Sequence, residues 1–197
     1  MSDNIVEELE RIINSRRRAR ITNQGNFIFA SVMILIERDG GDYRILFIKR
    51  TENKKDAFSG HMAFPGGKKK SNDKDLLATA IRETYEETGI DLTLKGSILG
   101  PLDDVNPTTP EVNHYIVTPF VSYLEHGAEL NTCEDEVAEA MWIPISHLKD
   151  PGNCYEKSVE RDGKNVIEYV YKYRDYVIWG LTGRILKQYI SLTGHLF

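Results

Sequence analysis

A chain of 197 residues with 41% hydrophobic and 28% charged content has room for one sizeable domain with a full core. Its formal net charge of −5 argues against general nucleic-acid binding and against attachment to anionic membranes. The two cysteines, Cys133 and Cys154, lack metal-ligand spacing and read as reduced thiols of a cytoplasmic protein. No apolar run reaches transmembrane length. The acidic start MSDNIVEELE resembles neither a secretory signal nor a transit peptide, and His195-Leu196-Phe197 is not a peroxisomal address of the S-K-L kind.

In chain order, Ile5, Leu9, Ile12 and Ile13 form an apolar stripe at helical spacing, with Asp3 available as a cap. This predicts a helical extension over 1–25, packed on a domain spanning 26–197. The basic run Arg16 to Arg20 either complements the helix dipole or meets an anionic ligand or partner. Phe27 to Glu37 and Tyr43 to Lys49 read as strands around the turn Asp39-Gly40-Gly41-Asp42. His61 to Phe64 is a short strand leading into Pro65-Gly66-Gly67, and a helix is expected from about Asp73 to Thr88, with Asp73 as its cap. Leu92 to Leu102 reads as strand, Asp103 to Pro110 as loop, Val112 to Leu124 as a long strand and Glu125 to Glu136 as a polar loop. Ala138 to Ile143 is a strand, followed by a helical turn at Ile145 to Leu148. A second hairpin is expected around Asp162-Gly163, and Trp179 to Leu192 has helical periodicity. Strands outnumber helices and helices interrupt them, which indicates α+β, a mixed sheet flanked by helices.

The informative stretch is FPGGKKKSNDKDLLATAIRETYEETGI, residues 64–90. On a helix, Glu83, Glu86 and Glu87 share an arc of roughly 100°, with Leu77, Ala80, Ile81 and Thr84 on the neighbouring arc. Like charges at these spacings repel, and the helix dipole disfavours them in the last turn. A bound cation would relieve both effects, and carboxylate oxygens suit Mg²⁺ or Mn²⁺. On the helix alone, a solvated acidic face explains the pattern equally well.

The same stretch resembles the Nudix box, G-x5-E-x7-R-E-U-x-E-E-x-G-U, where U is a bulky apolar residue. Arg82-Glu83, Glu86-Glu87 and Gly89-Ile90 are in register. Gly67 falls one residue early, Lys74 flanked by Asp73 and Asp75 occupies the first glutamate position, and Thr84 stands at an apolar position. The resemblance implies an α/β/α sandwich with the box as loop-helix-loop. It also implies hydrolysis of a diphosphate linked to another moiety. Glu83, Glu86 and Glu87 then hold the metal, completed by a backbone carbonyl at Gly66 or Gly67, and Arg82 orients a box carboxylate. The base is either a box glutamate or a carboxylate of the loop Glu134-Asp135-Glu136, Glu136 first.

Two further stretches resemble the coenzyme A pyrophosphatases of this family. Upstream lie Leu46 to Thr51, Gly60 and Phe64-Pro65-Gly66-Gly67; downstream lies Ile178 to Leu186, reading IWGLTGRIL. Arg50 matches the first arginine of the upstream signature, while the second position offers only Lys54 or Lys55. The resemblance implies cleavage of coenzyme A to 3′,5′-ADP and 4′-phosphopantetheine. Arg50, Lys55 and Lys68 are the expected substrate-binding cations, and a nucleotide is the expected small-molecule partner. A Nudix hydrolase for ADP-ribose, NADH or a dinucleotide, and a Nudix-fold binding domain without turnover, stay open as alternatives. Trp179 is expected in the core, Arg184 in an ion pair, and His61 and His114 in structural positions. Oligomeric state is not legible.

Overall fold

The computed structural model describes residues 3–22, 25–52, 59–109, 112–125, 127–161 and 163–197. Helix α1 (Asp3–Ser15) precedes strands β1 (Ile28–Asp39), β2 (Asp42–Arg50), β3 (Met62–Ala63) and β4 (Gly66–Lys68). Helix α2 (Leu76–Thr88), the short α3 (Leu92–Lys95), β5 (Gly96–Pro101), β6 (Tyr115–Leu124) and β7 (Val137–Pro144) follow. Then come α4 (Ile145–Lys149), β8 (Cys154–Arg161), β9 (Lys164–Tyr173), β10 (Tyr176–Ile178) and α5 (Gly180–Thr193). Among the described residues, no helix is long and apolar enough to cross a membrane.

Strands β1 to β7 form one mixed sheet, with β1 parallel to β6 and every other pair antiparallel. Strand β1 reads as a near-continuous apolar run because both faces are covered. On one face Ile34 and Ile36 join Leu9 and Ile13 of α1 and Ile185 and Tyr189 of α5. On the other, Met33 and Leu35 meet Ala80 of α2 with Ile90 and Leu92. The result is the expected α/β/α sandwich. A three-stranded antiparallel sheet, β10-β9-β8, stands beside it.

One feature of the register makes room for a site. Strands β1 and β2 pair only near their turn, from Ile36↔Ile45 to Asp39↔Asp42. Beyond that they part: β3 pairs β2 at Ile48 and Lys49, and β4 pairs β1 at Ala30 to Val32. The other edges of β1 and β2 are taken by β6 and β7. The segment 62–68 therefore fills the opening between the two strands.

Several local expectations change. Leu92 to Lys95 is a helical turn, because the Asp91 side chain caps it by accepting from the Thr93 N–H at 2.9 Å; the strand begins at Gly96. The cap of α2 is Asp75, which accepts from the Ala78 N–H at 2.8 Å, and Asp73 lies before the helix. Thr84 is buried without penalty, since its hydroxyl donates to the Ala80 carbonyl at 2.7 Å. In the basic run after α1, Arg16 pairs with Asp103 and Arg18 with Asp104, while Arg17 and Arg20 are exposed. Arg184 donates to the Asn106 carbonyl at 2.7 Å rather than to a carboxylate, and so holds the 103–109 loop.

Candidate active site

The C-terminal half of α2 sits down on the glycine pair of β4. Glu87, 1% exposed, accepts from the Gly66 N–H at 2.8 Å. A Cβ on Gly66 would strike the Ser31 carbonyl, and one on Gly67 would lie 2.5 Å from the carboxyl carbon of Glu83. Gly66 therefore needs glycine against fixed backbone, while a side chain at Gly67 would displace the Glu83 carboxylate, so the β4 backbone lies against two glutamates.

A third carboxylate arrives from the turn before β7. The Thr51 N–H donates to the Glu136 carbonyl at 3.0 Å, which ties that turn to the end of β2. The Asn131 N–H donates to the Thr88 carbonyl at 2.9 Å, tying the same loop to the end of α2. The β2–β7 register shifts between Lys49 and Arg50, so the strand irregularity falls beside this junction. One carboxylate oxygen each from Glu83, Glu87 and Glu136 then lies within 4.8 Å of the others.

Burial pushes the Glu87 carboxyl up to about 8, and the nearby Glu83 and Glu136 charges push the same way. The Gly66 N–H and Arg50, whose Nη1 is 3.8 Å from Glu87 Oε1, oppose that rise. Three oxygen donors, one of them held toward its neutral form chiefly by burial and secondarily by its carboxylate neighbours, fit a hard divalent cation. Glu83 and Glu87 would hold it against the Gly66-Gly67 backbone, with a Glu136 oxygen beside them.

Glu86 takes a different place from its neighbours. It is exposed, accepts from Arg82 Nη1 at 2.8 Å and pairs with Lys70 at 3.2 Å. Helix α2 thus turns Glu83 and Glu87 inward and Glu86 to the rim. Arg82 also grips Asp73, with Nε to Oδ1 and Nη2 to Oδ2 both at 2.9 Å. Counted from Gly67, Asp73 stands six residues on, the first spacing of the box; the extra residue lies between Asp73 and Arg82. That count is the signal by which Asp73, rather than Lys74, is recognisable as the anchoring carboxylate.

Glu83, Glu86, Glu87 and Glu136 line a cleft of about 990 Å³. Arg50 and Gly67 lie on its floor beside the carboxylates, and Lys68 lies on its wall, its Nζ 5.3 Å over the Tyr115 ring. Lys55, with Lys54, lies outside the described residues. Trp179, His61 and His114 also line the cleft, the first two with ring centroids 4.8 Å apart, so Trp179 is a wall residue as well as a helix start. Tyr115, Arg161 and Glu168 are cleft residues that no motif singles out, because they come from separate strands.

The class follows from this fold and site together. A NUDIX domain model matches residues 28–162, and the chain belongs to the Nudix family. It is similar to the peroxisomal coenzyme A diphosphatase NUDT7 of Mus musculus, 31% identical over 165 residues, covering 79% of this chain and 66% of that protein. It is also similar to the uncharacterized Nudix hydrolase NudL of Photorhabdus laumondii, 36% identical over 130 residues, covering 66% of this chain and 67% of that one. The chain thus spans about two thirds of the length of these relatives. Among solved structures, a MutT/nudix family protein from Enterococcus faecalis shares the fold with a TM-score of 0.57 at 17% identity, over 97% of this chain and 74% of that one.

Proposed function

We propose that this chain is a metal-dependent diphosphatase that hydrolyses coenzyme A, or a derivative of it, to 3′,5′-ADP and 4′-phosphopantetheine. The observation that carries the hydrolase class is the meeting of Glu83, Glu87 and Glu136 oxygens within 4.8 Å inside a family whose named relatives are hydrolases. The coenzyme A substrate is supported by the relative of that name and by the Arg50 and IWGLTGRIL stretches.

A bound Mg²⁺ or Mn²⁺ would screen the diphosphate charge and lower the pKa of a coordinated water. The chain's own groups do the rest. Arg50 and Lys68 attract and orient the phosphate oxygens by charge-assisted hydrogen bonds. The glycine pair lets the β4 backbone approach the reacting group. Glu136, exposed on its turn while Glu87 is buried, is the assigned base that takes a proton from the attacking water at a carboxylate oxygen. Glu83 and Glu87 are assigned as ligands. Glu86 joins them only by turning from Arg82 and Lys70, which makes it the outer member of the proposed set. The cytoplasmic location remains part of this reading and rests on two free cysteines.

Product analysis across coenzyme A, an acyl-CoA, NADH, ADP-ribose and dinucleotides tests the reading. Release of 3′,5′-ADP with the highest kcat/KM on coenzyme A compounds is the expected result. A higher value on ADP-ribose or a dinucleotide would move the substrate elsewhere, and no turnover with either metal would overturn the enzyme.

A further inference from the structure

Away from the carboxylate cluster, the β8–β9 hairpin places a buried carboxylate, Glu168, and its ion-pair partner Arg161 on the cleft wall. Glu168 is 2% exposed and lies cross-strand from Lys157. Arg161 Nη2 donates to its Oε1 at 2.5 Å, and Lys157 Nζ lies 3.1 Å from its Oε2. A buried carboxylate needs such partners, but one would serve. Two cations on one carboxylate leave a net positive charge.

Arg161 is not saturated by this arrangement. Its Nε is buried and hydrogen-bonds to none of the described residues. Arg161 and Glu168 line the same cleft as Glu83 and Glu87. The first turn of α5 adjoins them, since Gly183 packs directly on the Tyr169 carbonyl, next to Glu168. That turn has no side-chain cap and no acidic residue, so its N–H groups add to the positive potential. Lys157 Nζ stands 5.9 Å over the ring of Trp179, the residue that begins the helix. A guanidinium held in place by Glu168, 26% exposed on the cleft lining and with a surplus of positive charge beside it, is placed to receive an anion.

Arg50 is already committed at the carboxylate cluster. A substrate whose diphosphate lies at that cluster, and which carries a second, separate phosphate, needs another cationic group along the cleft. We propose that Arg161, positioned by Glu168, recognises a phosphate monoester of the substrate distinct from the diphosphate that is cleaved. The identification of that group as the 3′-phosphate of coenzyme A rests on the function proposed above.

The test is calorimetric titration of the full chain, in Mg²⁺, with adenosine 3′,5′-bisphosphate and with AMP. A charge-assisted phosphate contact predicts a preference of about tenfold or more for the bisphosphate in the wild type. Arg161→Ala should remove most of it, leaving AMP affinity within about twofold, as loss of one phosphate contact implies. Because that variant strands a buried carboxylate, the neutral double variant Arg161→Gln with Glu168→Gln is titrated beside it and should show the same loss. Equal wild-type affinity for the two ligands, or an undiminished preference in the double variant, overturns the proposal. So does an equal loss on both ligands, the mark of a purely structural ion cluster. Coenzyme A turnover by the wild type is scored separately. Absent turnover with an Arg161-dependent bisphosphate preference defeats the substrate reading alone; turnover with an Arg161-independent preference defeats this subsite alone.

Discussion

Arg82 holds Asp73 through two parallel hydrogen bonds of 2.9 Å each, joining the first turn of the box helix's approach loop to the middle of the helix itself. Asp73 also accepts from the Lys70 N–H at 2.8 Å and from the Thr79 hydroxyl at 2.9 Å. This one carboxylate therefore fixes the loop that follows the glycine pair, and through Arg82 it orients Glu83, which accepts from Nη1 at 2.7 Å.

Asp73→Ala should accordingly be far worse than changes beside it. Breaking a buried, hydrogen-bonded ion pair costs about 3–5 kcal/mol, whereas Asp75→Ala should cost about 1 kcal/mol as the loss of a helix cap. Lys74→Ala, on an exposed side chain, should stay within about 0.5 kcal/mol. Urea denaturation of the three variants checks the order. The Arg82 guanidinium, with the Lys70 N–H and Thr79, holds the Asp73 carboxyl well below the usual carboxylate range. Its contribution is therefore complete above the unfolded pKa of about 4 and is lost as pH falls through the lower folded value. Asp73→Asn should lose its deficit relative to wild type in acid.

Glu87 has the opposite sign. Its folded pKa of about 8 lies above the ordinary 4.5, so between those values the native state binds more protons than the unfolded one. Metal-free wild type should lose stability as pH rises through that window, and Glu87→Gln should flatten the profile. Added Mg²⁺ or Mn²⁺ should stabilise the wild type and should do little for the variant. Thermal melts in chelator and in metal, from acid to mildly alkaline pH, read both effects; a flat wild-type profile would contradict the burial argument.

The grouping of three carboxylates without Glu86 ranks four variants. Glu83→Gln and Glu87→Gln should lower kcat by about a hundredfold or more, as loss of metal activation implies. Glu136→Gln should fall within the 10²–10⁴ range, roughly, that a general base contributes. Glu86→Gln should be the mildest of the four, since Arg82 and Lys70 already occupy its side chain. Single-turnover rates at saturating metal give the order.

Gly67→Ala is a steric test of the site. Its Cβ would lie 2.5 Å from the Glu83 carboxyl carbon, so that side chain must move from the cluster. The expected result is a weakened metal response in thermal melts, with far-ultraviolet circular dichroism retained. An unchanged metal titration would show that Glu83 is not where the cation is held.

The sequence by itself determined a mixed sheet flanked by helices, for reasons that are local, while the sandwich and the register of the box came with the resemblance to the Nudix family. Apolar runs buried on both faces mark β1, the 3.6-residue period marks α2, and Gly89 with a φ of 73° ends it in the conformation that glycine adopts without strain. The same spacing placed Glu83, Glu86 and Glu87 near one another. It did not separate Glu86 from the other two, because an arc on a helix says nothing of what packs against it. Tertiary structure decided that: the β4 glycines take Glu83 and Glu87, and Arg82 with Lys70 takes Glu86. It also placed Glu136, named from the sequence only as the first loop candidate and forty-nine positions beyond Glu87 by their numbers, through a turn tied by backbone hydrogen bonds to β2 and α2. Arg161 and Glu168 belong to the same category. Their strands carry no motif, and only the hairpin's position against α5 puts a buried carboxylate and its paired arginine on the cleft wall.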